Sequence, residues 1–138
     1  MDNKFEILDH TADTGIIAYG IDLKQAFENA ALGMFSLITD LVSIENDQVR
    51  RIDINAPDRD DLLISWLNEL IYLFDVHNLI FSKFNIIHLD ESILSAFAHG
   101  EKVDLSRHEI RTGIKAATYH MLKIDENDIC RVQVLFDI

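Results

Sequence analysis

Apolar residues recur along the chain with two periods. From Leu23 onward, Ala26, Phe27, Ala30, Met34, Leu37, Ile38 and Leu41 fall at helical spacing, with Lys24, Gln25, Glu28 and Asn29 opposite. Asp22 precedes this run as a cap, and the helix is expected to cover one face of a sheet. Leu63, Trp66, Leu67, Leu70, Ile71 and Phe74 form a second helical stripe. Asp58 stands before it as a cap, Asp60 and Asp61 in its first turn suit the helix dipole, and His77-Asn78 closes it. Between the two helices, residues 49–56 alternate. Ile52, Ile54 and Ala56 lie on one side and Arg51, Asp53 and Asn55 on the other, as in a half-buried strand.

The rest of the chain reads as strands and turns. Residues 5–8 form a short strand and 16–21 another, joined by the turn-like His10-Thr11-Ala12-Asp13-Thr14-Gly15. Residues 79–89 and 92–100 predict a hairpin with Asp90-Glu91 at its turn. Residues 100–106 are polar and read as irregular. Residues 114–122 predict a strand in either of two registers. Residues 125–128 are a polar turn, and 129–138 predict a last strand with Val132, Val134 and Phe136 on one side. Hairpin-like strands after two helices point to an α+β fold, with two main helices packed on a mixed, largely antiparallel sheet. No linker or repeat interrupts residues 1–138, which are read as a single domain.

Composition narrows the function. Hydrophobic residues at 49% of 138 positions exclude a disordered chain, and one cysteine excludes an internal disulfide. Twelve basic residues against 24 acidic ones leave a net charge of −12. Such a chain repels phosphate, so neither direct nucleic-acid binding nor docking to anionic membrane is expected; a cation or a basic protein is the better match. Residues 1–10 mix Asp, Lys and Glu where a secretory signal would be basic and then apolar. A cytoplasmic, reducing location is therefore expected.

Few residues suggest chemistry. The five glycines are scattered, so there is no phosphate loop, and no zinc motif or nucleophile elbow occurs. Asp13, in the first turn, is either an ordinary turn aspartate or a hard oxygen ligand. Asp137 and the α-carboxylate of Ile138 are adjacent; they form either a solvated terminus or a pair of oxygen donors for Ca²⁺ or Mg²⁺. Lys115 interrupts an apolar strand, either facing solvent or held over a site. His120, five residues on, falls on the opposite face of a regular strand. His10 is a weaker candidate.

Taken together, several segments resemble the archease family. They are His10-Thr11-Ala12-Asp13-Thr14-Gly15, Ala26-Phe27 with Ala31-Leu32-Gly33-Met34-Phe35, and Leu63-Ile64-Ser65-Trp66-Leu67-Asn68-Glu69-Leu70-Ile71-Tyr72-Leu73. Ile114-Lys115-Ala116-Ala117-Thr118-Tyr119-His120 and the terminal Leu135-Phe136-Asp137-Ile138 complete the match. The resemblance implies the archease fold and a non-catalytic partner of an RtcB-type RNA ligase. That ligase seals tRNA halves and other broken RNAs through a GMP–histidine intermediate, and the archease promotes its guanylylation by GTP and its multiple turnover. The resemblance further implies a divalent cation, Ca²⁺ first with Mg²⁺ or Mn²⁺ as alternatives, on Asp13, Asp137 and the Ile138 carboxylate. Lys115, and more weakly His10, would be activity residues. Two positions depart from the family pattern. Thr14 follows the signature aspartate where an apolar residue is common, and Gly113 stands where an acidic residue often precedes the Lys-Ala pair. Two other readings remain open: a chaperone-like modulator of another RNA-modifying enzyme such as a tRNA methyltransferase, and a free-standing metal-dependent hydrolase with His10 as base.

Overall fold

A computed structural model describes residues 3–9 and 14–138. Both long helices begin where an aspartate can cap them. In α1 (Leu23–Ile38) the Asp22 carboxylate accepts the Gln25 N–H at 2.8 Å; in α2 (Arg59–His77) Asp58 accepts the Asp61 N–H at 2.9 Å. α2 ends on Asn78 in the left-handed region (φ 56°), where its N–H reaches back to the Phe74 carbonyl. α1 stops at Ile38, one turn short of the apolar run. Thr39 ends it, its N–H bound to Phe35 O and its hydroxyl donating to Glu109 O at 2.7 Å. Leu41–Ser43 is a separate 3₁₀ turn.

The strands among the described residues are β1 (Phe5–Asp9), β2 (Thr14–Gly20), β3 (Gln48–Asn55), β4 (Leu79–Leu89), β5 (Ile93–Lys102), β6 (Ala116–Glu126) and β7 (Cys130–Asp137). They make two sheets, ordered β1-β2-β7-β6 and β3-β5-β4, and every pairing described is antiparallel. The expected α+β arrangement of two main helices on a largely antiparallel sheet is what forms, with the sheet divided in two. The helices lie between the sheets. α1 packs on β1, β2 and β7 on one side and on β4 on the other, while α2 packs on β6 and on β3, β4 and β5. Among the described residues no helix is long and apolar enough to cross a membrane.

This layering corrects the expectation that α1 covers a single sheet. Its polar side is not free. Asn29 is buried and donates to the Tyr19 carbonyl at 2.7 Å, and Glu28 accepts the Ile86 N–H of β4 at 2.8 Å. Burial pushes the Glu28 carboxyl up from its ordinary value, a shift that the Ile86 bond opposes.

The core between the helices and the three-stranded sheet is aromatic. Phe35 meets Phe81 edge-on at 5.7 Å, and Trp66 meets Phe84 edge-on at 5.8 Å. Trp66 Nε1 also donates to the Phe27 carbonyl, fastening α2 to α1. Each buried ring contributes roughly 1.5–3 kcal/mol, against about 1 kcal/mol for the hydrogen bond, so burial sets the helix positions and the bond sets their register.

β5 continues to Lys102, past the point where the sequence reads as irregular. Gly100 makes this possible, because a Cβ there would lie 1.9 Å from the Ile80 carbonyl oxygen of β4. Gly100→Ala is therefore expected to pry β4 from β5 and destabilise the fold by about 1–3 kcal/mol. A lower urea midpoint with an unchanged slope checks this.

Candidate functional site

β7 runs down the middle of the four-stranded sheet and brings the chain end to both neighbours. On one side Thr14 of β2 pairs with Phe136 and Gly15 with Leu135. A Cβ on Gly15 would lie 2.4 Å from the Val134 carbonyl oxygen, so the close approach there needs glycine. On the other side Ala116 and Ala117 of β6 pair with Asp137 and Phe136, and the Lys115 N–H donates to the Asp137 carbonyl at 2.8 Å. Asn68 of α2 fixes this start of β6, its side-chain oxygen accepting the Ala117 N–H at 2.8 Å. Lys115, Asp137 and Ile138 thus share one end of the sheet, and all three are exposed. His10 and Asp13 lie outside the described residues; Thr14, next in the chain to Asp13, faces Phe136.

Residues 103–115 carry the chain from β5 to Lys115 along a fastened path. The Val103 N–H binds the Asn78 carbonyl at 2.8 Å, and the Arg111 N–H binds that of Ile38 at 2.7 Å. The strongest anchor is Glu101, only 4% exposed. It accepts the guanidinium of Arg107, the Glu45 N–H at 2.6 Å and His108 Nε2 at 3.0 Å. His108 Nδ1 accepts the Asp104 N–H at 2.8 Å, so the ring proton facing Glu101 sits on Nε2. Arg107, above all, holds the Glu101 carboxyl below its ordinary value against the opposing effect of burial. No motif in the sequence marks this cluster, because its partners come together only when β5 stays in its sheet.

Glu45, Asp47 and Glu101 each bring one oxygen within 4.8 Å of the others, a spacing that could hold a divalent cation. Glu101 already has its charge balanced by Arg107, so an ion there would compete with an existing pair.

β6 is not the regular strand that its sequence suggests. Thr118 pairs with Leu135 and Lys123 with Gln133, so residues 119–122 stand across from residue 134 alone. Alternation is lost: Ile114 and Ala117 are buried, while Tyr119, His120 and Met121 are all exposed. The parity that would put Lys115 and His120 on opposite faces does not apply across this bulge.

The model of the archease protein family (MTH1598/TM1083) matches residues 5–138. The chain belongs to the archease family. It is 40% identical over 140 residues to the protein archease of Methanosarcina acetivorans, covering 98% of this chain and 96% of that one. With the protein archease of Sulfurisphaera tokodaii it is 44% identical over 124 residues, 88% of each. The solution structure of Methanobacterium thermoautotrophicum protein 1598 is similar at a TM-score of 0.81 and 39% identity, covering 98% of this chain and 99% of that one. A crystal structure of an archease from Thermotoga maritima shares the fold at a TM-score of 0.64 and 21% identity, covering 95% and 94%. As an archease, the chain is a non-catalytic accessory protein.

Nothing steric requires glycine at position 113. Gly113 is exposed, and a Cβ there would meet nothing within 4 Å. A larger side chain at that position would stand free beside Lys115.

Glu101→Gln tests the anchor. A carboxyl whose native pKa is depressed contributes its stability above the unfolded value, near 4.5, and loses it as pH falls through the lower native value. The variant is expected to unfold at lower urea at pH 7. It should also lose less of its stability than the wild type as the pH is taken below 4.5. Urea titrations across that range read both effects.

Proposed function

We propose that this archease is a metal-binding activator of an RtcB-type RNA ligase in tRNA splicing and RNA repair, promoting the ligase's guanylylation by GTP and its multiple turnover. The observation that carries the reading is the register around β7. It gathers Lys115, Asp137 and Ile138 at one sheet end and sets Thr14, the neighbour of Asp13, across from Phe136. Asp13, Asp137 and the Ile138 carboxylate would hold a divalent cation, Ca²⁺ before Mg²⁺ or Mn²⁺, because the donors are hard oxygens with no thiolate among them. Bound there, the cation would neutralise adjacent carboxylates and present a fixed positive charge. Lys115, fastened through its backbone to Asp137, would act beside it on the partner, with His10 a lesser candidate. An activator must bind one state of its target better than another, and the guanylylation-competent ligase is that state here.

The net charge of −12 favours the ligase, not its RNA, as the surface contacted. Residues 1–138 act as one domain in the cytoplasm in this reading.

The test follows GMP attachment to the purified ligase with GTP and Mn²⁺, with and without the archease. Wild type is expected to accelerate attachment. Asp13→Ala should lose most of that effect and, by titration calorimetry, bind Ca²⁺ at least about tenfold more weakly. Lys115→Ala should keep Ca²⁺ binding and lose stimulation. Equal stimulation by wild type and Asp13→Ala would refute the metal-site mechanism.

A further inference from the structure

The bulge on β6 projects large side chains from a strained backbone. Met121 has φ 55°, a left-handed conformation that a thioether side chain gains nothing from adopting. Asn78, the other non-glycine residue with positive φ among the described residues, caps a helix. Met121 caps nothing. Its conformation is enforced: the buried amide of Gln133 donates to the Met121 carbonyl at 2.9 Å, and the Tyr119 hydroxyl donates to Asp61 at the start of α2. Tyr119 is 55% exposed and Met121 54%, with His120 exposed between them. A regular strand continuing from the buried Ala117 would have turned Tyr119 and Met121 inward. Here all three stay exposed, with the Tyr119 hydroxyl tied back to α2, and together they form a projection on the strand that begins beside Lys115.

On its α2 side the projection is bordered by carboxylates. Asp58, Asp60 and Asp61 stand at the start of α2, where the Tyr119 hydroxyl donates to Asp61; that bond first, then burial and the charge of the three carboxylates, pushes the phenol pKa up to about 12. An aromatic ring and a thioether rimmed by carboxylates make an apolar anchor with an acidic border, the arrangement of an interface hot spot. Nucleic acid and anionic lipid are repelled by that border. A second copy, itself carrying −12, is repelled as well. A protein surface with an apolar pocket ringed by Lys and Arg fits.

We infer that the Tyr119-His120-Met121 projection is the anchor by which this archease docks on its ligase, seated in an apolar pocket ringed by basic side chains. The inference rests on the ligase reading above and adds where contact is made. The strain at Met121 is then retained because it holds three side chains outward at once.

Full-length wild type, Met121→Gly, His120→Ala and Asp60→Asn are titrated into the purified ligase by calorimetry at several salt concentrations. Glycine accepts φ 55°, so Met121→Gly should unfold at or above the wild-type temperature. It should nevertheless bind the ligase about tenfold or more weakly, with Ca²⁺ affinity unchanged. A purely structural role would leave ligase binding intact. His120→Ala, which leaves the strained residue in place, should also weaken binding. Wild-type affinity should fall as salt rises, and less steeply for Asp60→Asn. Wild-type affinity in both Met121→Gly and His120→Ala overturns the docking assignment while leaving activation standing. Self-association of wild type that Met121→Gly abolishes, seen by sedimentation, also overturns it in favour of a second copy. Failure of wild type to bind the ligase or speed its guanylylation overturns docking and activation together.

Discussion

The pairing of β2 with β7 joins the first part of the chain to the last. Thr14 to Gly20 lie against Phe136 to Cys130 in unbroken register. Closing a loop of this length is costly in chain entropy. The ladder forms because Ile16, Ala18, Val132 and Val134 are fully buried against α1 when it does. A carboxylate at the chain end becomes part of a defined surface only through this pairing.

Placing two helices between two sheets leaves them little free surface. α1 meets strands on opposite sides, so polar side chains that would face water on a simpler helix must find partners inside. Asn29 bonds to β2 and Glu28 to β4. The same arrangement explains the route of residues 103–115, which must pass from one sheet to the other. They are held at the ends of α1 and α2 and by the Glu101 cluster. Position is thereby transmitted from the three-stranded sheet to Lys115, which stands at the start of β6 beside Asp137.

Within the four-stranded sheet, β6 is both an edge strand and the place where regularity fails. A bulge at an edge blunts further strand pairing and re-aims side chains. Here, the buried Gln133 amide sustains it from beneath, a contact that extends from the middle of the sheet to its outermost residues.

Local chemistry was legible along the chain. Asp22 and Asp58 are caps because their carboxylates reach N–H groups three residues on, and both helices start where these residues stand. Alternation located β3, and the Asp90-Glu91 turn located the β4–β5 hairpin, since period and turn residues are properties of a few neighbouring positions. The family resemblance was equally legible, being carried by short segments in order. Tertiary structure decided the rest. It ended α1 at Thr39, whose hydroxyl bonds to Glu109, 70 positions away. It also extended β5 through Glu101, divided the sheet, and turned residues 119–122 into a bulge. Each of these outcomes turns on a partner distant in sequence, whereas a cap, a turn or a period is settled within one or two turns of backbone.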